Sequence, residues 1–192
     1  VFDASMVWHG GLAAVSSCIA MMYRGALAGL FAIVLSLCLY FSTLLLNQTD
    51  GHWLFLVLAA VVAACDSAAY FVGRSVGGVK LVPLISPNKT VSGSVGGIVA
   101  AIAVLVGLSN IQALAPITGL GPVTGLDTVA ALFLGCGVAV LSQIGDLLES
   151  ALKRYFNVKD SGSLLPGHGG LLDRFDGYLF TVPGFYLFLF AS

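Results

Sequence analysis

Five of the nine carboxylates fall at three places in a chain with little charge elsewhere. Asp66 lies inside an apolar run. Asp146 and Glu149 close a second run, and Asp173 and Asp176 open a third. Each of the last two pairs is spaced i, i+3, which puts both members on one face of a helix. Five carboxylates brought to one depth repel one another and desolvate badly, and a divalent cation resolves both problems. Oxygen-only ligands suit Mg²⁺, Ca²⁺ or Mn²⁺ better than zinc. The expected metal ligands are therefore Asp146, Asp173, Asp176, Asp66 and Glu149. A plainer alternative makes Asp173 and Asp176 helix caps and pairs Asp146 and Glu149 with Lys153 on their own helix. It accounts for each pair separately but leaves Asp66 unexplained.

Cations and glycines complement the acids. Lys153, Arg154, Lys159 and Arg174 are spaced to hold phosphate oxygens, and Gly167, Gly169 and Gly170 surround His168. Glycines let backbone N–H groups approach an anion closely. His168 alone reads more readily as a structural hydrogen-bonder than as a catalyst. The segment 73–93 has the same flavour: Gly73, Gly77 and Gly78 precede Lys80, and Ser86, Pro87, Asn88, Lys89 and Thr90 precede Ser92 and Gly93. It lacks the G-x-x-x-x-G-K-[ST] pattern, so it is not a P-loop, but its polar, cationic character suits a nucleoside triphosphate.

The elements that position these residues are membrane spans. Of 192 residues 58% are hydrophobic and only 9% charged, against roughly 25% charged in soluble domains. Such a chain cannot cover a water-facing surface, and the bilayer is its expected solvent. The net charge of −1 gives no footprint for nucleic acid. Cys18, Cys38, Cys65 and Cys136 are scattered through apolar segments, with neither metal-ligand spacing nor a disulfide framework. A span needs ~20 apolar residues, which predicts six: 6–22, 25–46, 53–72, 94–109, 128–148 and 177–192. The fold class is thus all-α, a polytopic membrane protein with a polar site at one face. Residues 110–127, rich in Gly, Pro and Thr, read as an external loop. With six spans every Lys and Arg falls on one side, opposite Asp3, Asp50, Asp127, His9 and His52. Basic loops stay cytoplasmic, so 73–93 and 149–176 are expected there, with both termini outside. The chain begins with Val and has no basic leader before its first apolar run. No signal peptide is expected, and a piece of a longer protein is one reading.

The residues resemble the phosphatidate cytidylyltransferases (CDP-diacylglycerol synthases). That family's C-terminal signature is met without departure over 150–176 by Ser150, Leu152, Lys153, Arg154, Lys159, Asp160, Gly162, Leu165, Pro166, His168, Gly169, Gly170, Leu171, Asp173, Arg174 and Asp176. Upstream, Asp66, Ala69, Tyr70 and Gly73, the run 85–90, and Gln143, Gly145, Asp146 and Glu149 are similar too. Family members usually carry further N-terminal spans. The resemblance therefore implies a single transmembrane catalytic unit over 1–192, either a fragment or a shortened member.

The resemblance implies transfer of CMP from CTP to phosphatidate, giving CDP-diacylglycerol and pyrophosphate. It also implies Mg²⁺ dependence, a homodimer, and a bacterial inner membrane or an organelle membrane. Asp146, Asp173 and Asp176 match aspartates associated with metal in the family. They would hold one or two cations, Mg²⁺ first and a monovalent ion a candidate for the second, with Asp66 or Glu149 in support. Lys89, Lys153, Arg154 and Arg174 would bind phosphate oxygens. Ser86, Asn88 and Thr90 would position CTP, with Lys159, Gly169 and Gly170 on the substrate side. His168 would orient an aspartate or donate to a phosphate. The rivals are a CTP-dependent lipid kinase, a CDP-alcohol phosphotransferase (mimicked only by Asp173, Asp176 and Gly177) and a cation-coupled secondary transporter.

Overall fold

A computed structural model of the chain describes residues 25–49, 51–111, 121–158 and 172–190. The first expected span, Lys159, Asp160 and the His168 segment lie outside the described residues.

Four helices are long and apolar enough to cross a membrane: α1 (Ala26–Leu46), α2 (Gly51–Ser75), α3 (Val91–Ser109) and α5 (Thr128–Tyr155). Hydroxyls inside α1 are satisfied by the carbonyls of their own helix, as hydrocarbon demands. In α1, Ser36 Oγ donates to the Ala32 carbonyl at 2.7 Å and Ser42 Oγ to that of Cys38 at 2.8 Å. Helix starts are fixed by side chains that accept otherwise orphaned N–H groups. Thr90 Oγ1 takes the Gly93 N–H at 3.1 Å for α3, and Asp127 Oδ1 takes that of Ala130 at 2.7 Å for α5. Lys153 and Arg154 sit in the last turn of α5, where cations meet the negative end of the helix dipole.

α2 packs on α3, α3 on α5, and α5 on the short helix α7 (Tyr178–Phe190), which also packs on α1. The shared core includes Leu58, Val61, Leu105, Val138, Leu179 and Phe185. α2 and α3 meet closely at their site end, where a Cβ on Gly93 would stand 2.6 Å from the Ala69 carbonyl and 3.2 Å from Gly73 Cα. Much of the remaining apolar surface is exposed: Leu30, Leu39, Phe71, Val99 and Phe133 all face outward. That is the pattern of a bundle whose surroundings are lipid.

The structure departs from expectation in three places. Segment 73–93 is not only loop: it holds an antiparallel hairpin of β1 (Lys80–Val82) and β2 (Ser86–Thr90), with Lys80 opposite Thr90 and Val82 opposite Ser86. Gly77 and Gly78, at φ 64° and 107°, turn the chain out of α2 into β1 through a region L side chains rarely adopt. Pro87 is tolerated because a two-stranded sheet has only edges.

The sixth expected span, 177–192, is described over Tyr178–Phe190, 13 residues of helix with Pro183 inside them. At 1.5 Å per residue that described stretch is about 20 Å long, against a hydrocarbon core of ~30 Å. Finally, Asp173 and Asp176 do not share the face of one helix that opens this span. Asp173 belongs to a one-turn helix, α6 (Leu172–Phe175), and Asp176 to the turn before α7. Within the expected outer loop, Gly121–Thr124 forms another single turn, α4, with Val123 fully buried.

Candidate active site

Successive helices run in opposite directions, so the end of α2, the hairpin, the start of α3, the end of α5 and the start of α7 share one end of the bundle. Among the described residues every Lys and Arg lies at this end: Arg74, Lys80, Lys89, Lys153, Arg154 and Arg174. The acidic residues of the expected site are here too.

The hairpin is the strap that crosses the bundle end. Its second strand carries Lys89 over α5, where Lys89 Nζ lies 2.6 Å from Asp146 Oδ2. Ser150, one turn further along α5, donates to Asp146 Oδ1 at 3.3 Å. The hairpin tip is tied down by Arg154, whose Nε donates to the Ile85 carbonyl at 3.4 Å. Its base is held by Ser92 Oγ, which donates to the Gly77 carbonyl.

Lys153 makes the second link. Its ammonium lies 2.5 Å from Glu149 Oε2 on the same helix and 2.8 Å from Asp173 Oδ1 on α6. The Glu149 side chain is 1% exposed, Asp173 13% and Lys153 20%. The alternative in which α5 pairs its own charges therefore holds for Glu149, whereas Asp146 is paired across the fold.

Asp176 is seated by backbone contacts. Its Oδ1 accepts the Gly177 N–H at 2.7 Å, and its carbonyl lies against Gly145 of α5, where no Cβ would fit. Burial, with the Asp146 carboxylate next in effect, pushes the Asp176 carboxyl up to about 6 from an ordinary 3.8. Asp66 is exposed on α2, and the charges of Asp146 and Lys89 act on it. The structure thus brings Asp66, Asp146, Glu149, Asp173 and Asp176 to one place with Lys89 and Lys153.

Of the residues expected to bind substrate, Asn88 and Arg154 are exposed and Ser86 half-buried. Thr90 is buried and its hydroxyl is engaged in capping α3. The expected ligands Lys159, His168, Gly169 and Gly170 lie outside the described residues, and only the backbone of Arg174 is described. Sequence reasoning missed the Arg154–Ile85 tie and Gln143 as a helix clamp. Gln143 Nε2 of α5 donates to the Ser94 carbonyl of α3 at 3.1 Å. A side-chain amide at the edge of an apolar stretch of helix was the signal available for it.

Among the described residues no three Asp, Glu, His or Cys side chains converge tightly enough to hold a metal ion as they stand. The negative charge is instead balanced in part by ammonium groups. The donor set nonetheless fits a hard divalent cation. All donors are carboxylate oxygens: Asp146, Glu149 and Asp173 face two ammonium groups in these contacts, and the charges of Asp66 and Asp176 lie close enough to act on the same cluster.

The sequence profile of the Cytidylyltransferase family matches residues 4–192. The chain belongs to that family. Relatives bearing the name phosphatidate cytidylyltransferase are similar over most of it. That of Bacillus subtilis (strain 168) is 44% identical over 161 residues, 83% of this chain and 56% of that protein. That of Brucella suis biovar 1 (strain 1330) is 47% identical over 161 residues, 84% and 55% respectively. That of Staphylococcus aureus (strain COL) is 37% identical over 146 residues, 76% and 52%. The chain spans about half the length of the curated relatives it matches.

Proposed function

We propose that this chain transfers CMP from CTP to phosphatidate, producing CDP-diacylglycerol and pyrophosphate. Family membership and the names of its relatives support the reaction. The observation that carries the site is the convergence of carboxylates from separate segments with Lys89 and Lys153 at one end of an apolar bundle. That mixture of acids and cations suits a divalent cation accompanied by polyphosphate.

The phosphate of phosphatidate is already an anion near neutral pH and needs little help from a general base. One of its oxygens attacks the α-phosphorus of CTP, the bond from that phosphorus to the bridging oxygen breaks, and pyrophosphate departs. Transfer of this kind is governed by positioning and charge stabilisation. Asp146, Asp173 and Asp176 would hold Mg²⁺, or two cations, with Asp66 beside them and Glu149 beneath. Such an ion supplies charge neutralisation for phosphates that would otherwise repel. Lys89, Lys153, Arg154 and Arg174 offer donors to phosphate oxygens, and Ser86 and Asn88 lie on the strap where CTP would approach. Acyl chains remain among the apolar helices while the lipid phosphate reaches the carboxylates at the interface.

The reading includes a site facing the cytoplasm, on the positive-inside argument, an N-terminal span before α1, and a homodimer, on family resemblance. The relatives are bacterial, which favours a bacterial inner membrane. The test is incubation of the purified chain with labelled CTP and phosphatidate vesicles. Labelled lipid with pyrophosphate supports transfer, while CDP release would indicate a lipid kinase instead.

A further inference from the structure

We propose that Glu149 is a positioning residue. It acts through Lys153, holding that ammonium against Asp173 and limiting where its remaining N–H groups point, without itself touching the reactants or the cation. The inference rests on the reaction proposed above for what Lys153 then does, but not for the geometry.

Three observations lead to it. First, the Glu149 side chain is 1% exposed, so nothing arriving from solvent reaches it. Second, its Oε2 lies 2.5 Å from Lys153 Nζ, and the same nitrogen lies 2.8 Å from Asp173 Oδ1. The three groups are ordered by exposure, with Glu149 deepest and Lys153 outermost. Third, a buried carboxylate is costly unless a partner compensates it. Lys153 is the cation that compensates it, so the charge serves that partner. Glu four residues before Lys is also the favourable order on a helix.

The chemical consequence follows from donor counting. An ammonium has three N–H donors. Asp173 takes one, and the ion pair with Glu149 restrains the nitrogen further, which narrows the directions left to the others. A lysine on a free four-carbon stem would sweep a wide arc, and the two carboxylates remove that freedom before a phosphate arrives. Glu149 is thereby separated from Asp146, Asp173 and Asp176 as a cation ligand.

The first arm reads the geometry without turnover. The whole chain in detergent is treated with a limiting amine-acylating reagent, and modification of Lys153 is followed by mass spectrometry. Glu149→Gln leaves Lys153 its contact with Asp173, so the variant is expected to fold. Its Lys153 should acylate at least threefold faster, with the other lysines unchanged. Should Glu149→Gln not fold, Glu149→Asp, which draws the carboxylate back by one methylene, replaces it.

The second arm is a kinetic cycle with Lys153→Met. Glu149→Gln should lower kcat at least tenfold, shift the half-saturating Mg²⁺ less than twofold, and cost little more once Lys153 is Met. Unchanged acylation of Lys153 overturns the inference. So does a loss that adds fully to that of Lys153→Met, or a shift in half-saturating Mg²⁺ of threefold or more. Failure of the wild-type chain to transfer CMP would instead count against the proposed reaction, leaving the acylation result as the test of the pairing.

Discussion

Lys89 and Asp146 are far apart in sequence, yet Lys89 Nζ meets Asp146 Oδ2 at 2.6 Å. The contact joins the hairpin to α5 and puts a cation from one segment on a carboxylate from another. Each partner has a separable role in the proposed chemistry. Asp146→Asn keeps the shape but not the charge and should lower kcat by about 100-fold or more, on the scale of losing one group that stabilises developing charge. Lys89→Met removes a charged donor worth about 1.5–3 kcal/mol, and should lower kcat/KM for CTP by about ten- to a hundredfold. Steady-state kinetics on folded variants checks both. Near-normal values for Asp146→Asn would remove it from the site.

Asp173→Asn should abolish turnover while the chain still folds and inserts. Lys153 keeps Glu149 as a partner in this variant, so the fold retains its local charge balance. Thermal unfolding in detergent close to wild type, together with loss of labelled lipid product, is the expected pair of results. Retained activity would exclude Asp173 as a cation ligand.

Two glycines on one helix should respond oppositely to the same substitution. A methyl at Gly145 would run into the Asp176 carbonyl, whereas one at Gly137 meets nothing within 4 Å. Gly137→Ala should raise the unfolding temperature, because Ala is favoured over Gly in a helix by about 1 kcal/mol. Gly145→Ala forces backbone apart and should cost about 1–3 kcal/mol, with weaker cation binding as Asp176 is displaced. Thermal scans of both variants side by side decide this.

Asp176 gives the site a pH dependence whose sign is fixed. Its carboxyl is pushed up to about 6 from 3.8, chiefly by burial and then by Asp146. Between those values the folded chain holds a proton that the unfolded chain has lost. Without a divalent cation, stability should therefore fall as pH rises through that window and level off above it. A cation that needs ionised Asp176 must displace the proton, so affinity should weaken by about tenfold per unit as pH drops below about 6. Mn²⁺ titration followed by electron paramagnetic resonance between pH 5 and 8 measures it. Asp176→Asn should bind more weakly and with a flatter profile.

What the sequence made legible depended on range. The long apolar runs of α1, α2, α3 and α5 fix their helices locally, because hydrocarbon leaves the backbone no other partner. The acidic pairs mark the site end because charge is so scarce elsewhere. The Lys89–Asp146 contact was not legible, since it arises from how the strap lies across α5. The hairpin was missed because its strands are short and Pro87 argues against a strand. The break between Asp173 and Asp176 was missed because i, i+3 spacing assumes an unbroken helix. Here Asp176 spends its carboxylate on the Gly177 N–H and its carbonyl packs on Gly145. Thr90 shows the converse: a residue singled out for nucleotide binding proves to cap a helix.

The most direct measurement follows both products from α-labelled CTP. The purified chain is reconstituted with phosphatidate vesicles, with Mg²⁺ or with a chelator. The account predicts labelled CDP-diacylglycerol and pyrophosphate in equal amounts, only when the divalent cation is present. Lipid labelling undiminished by the chelator, or CDP released in place of pyrophosphate, would contradict it.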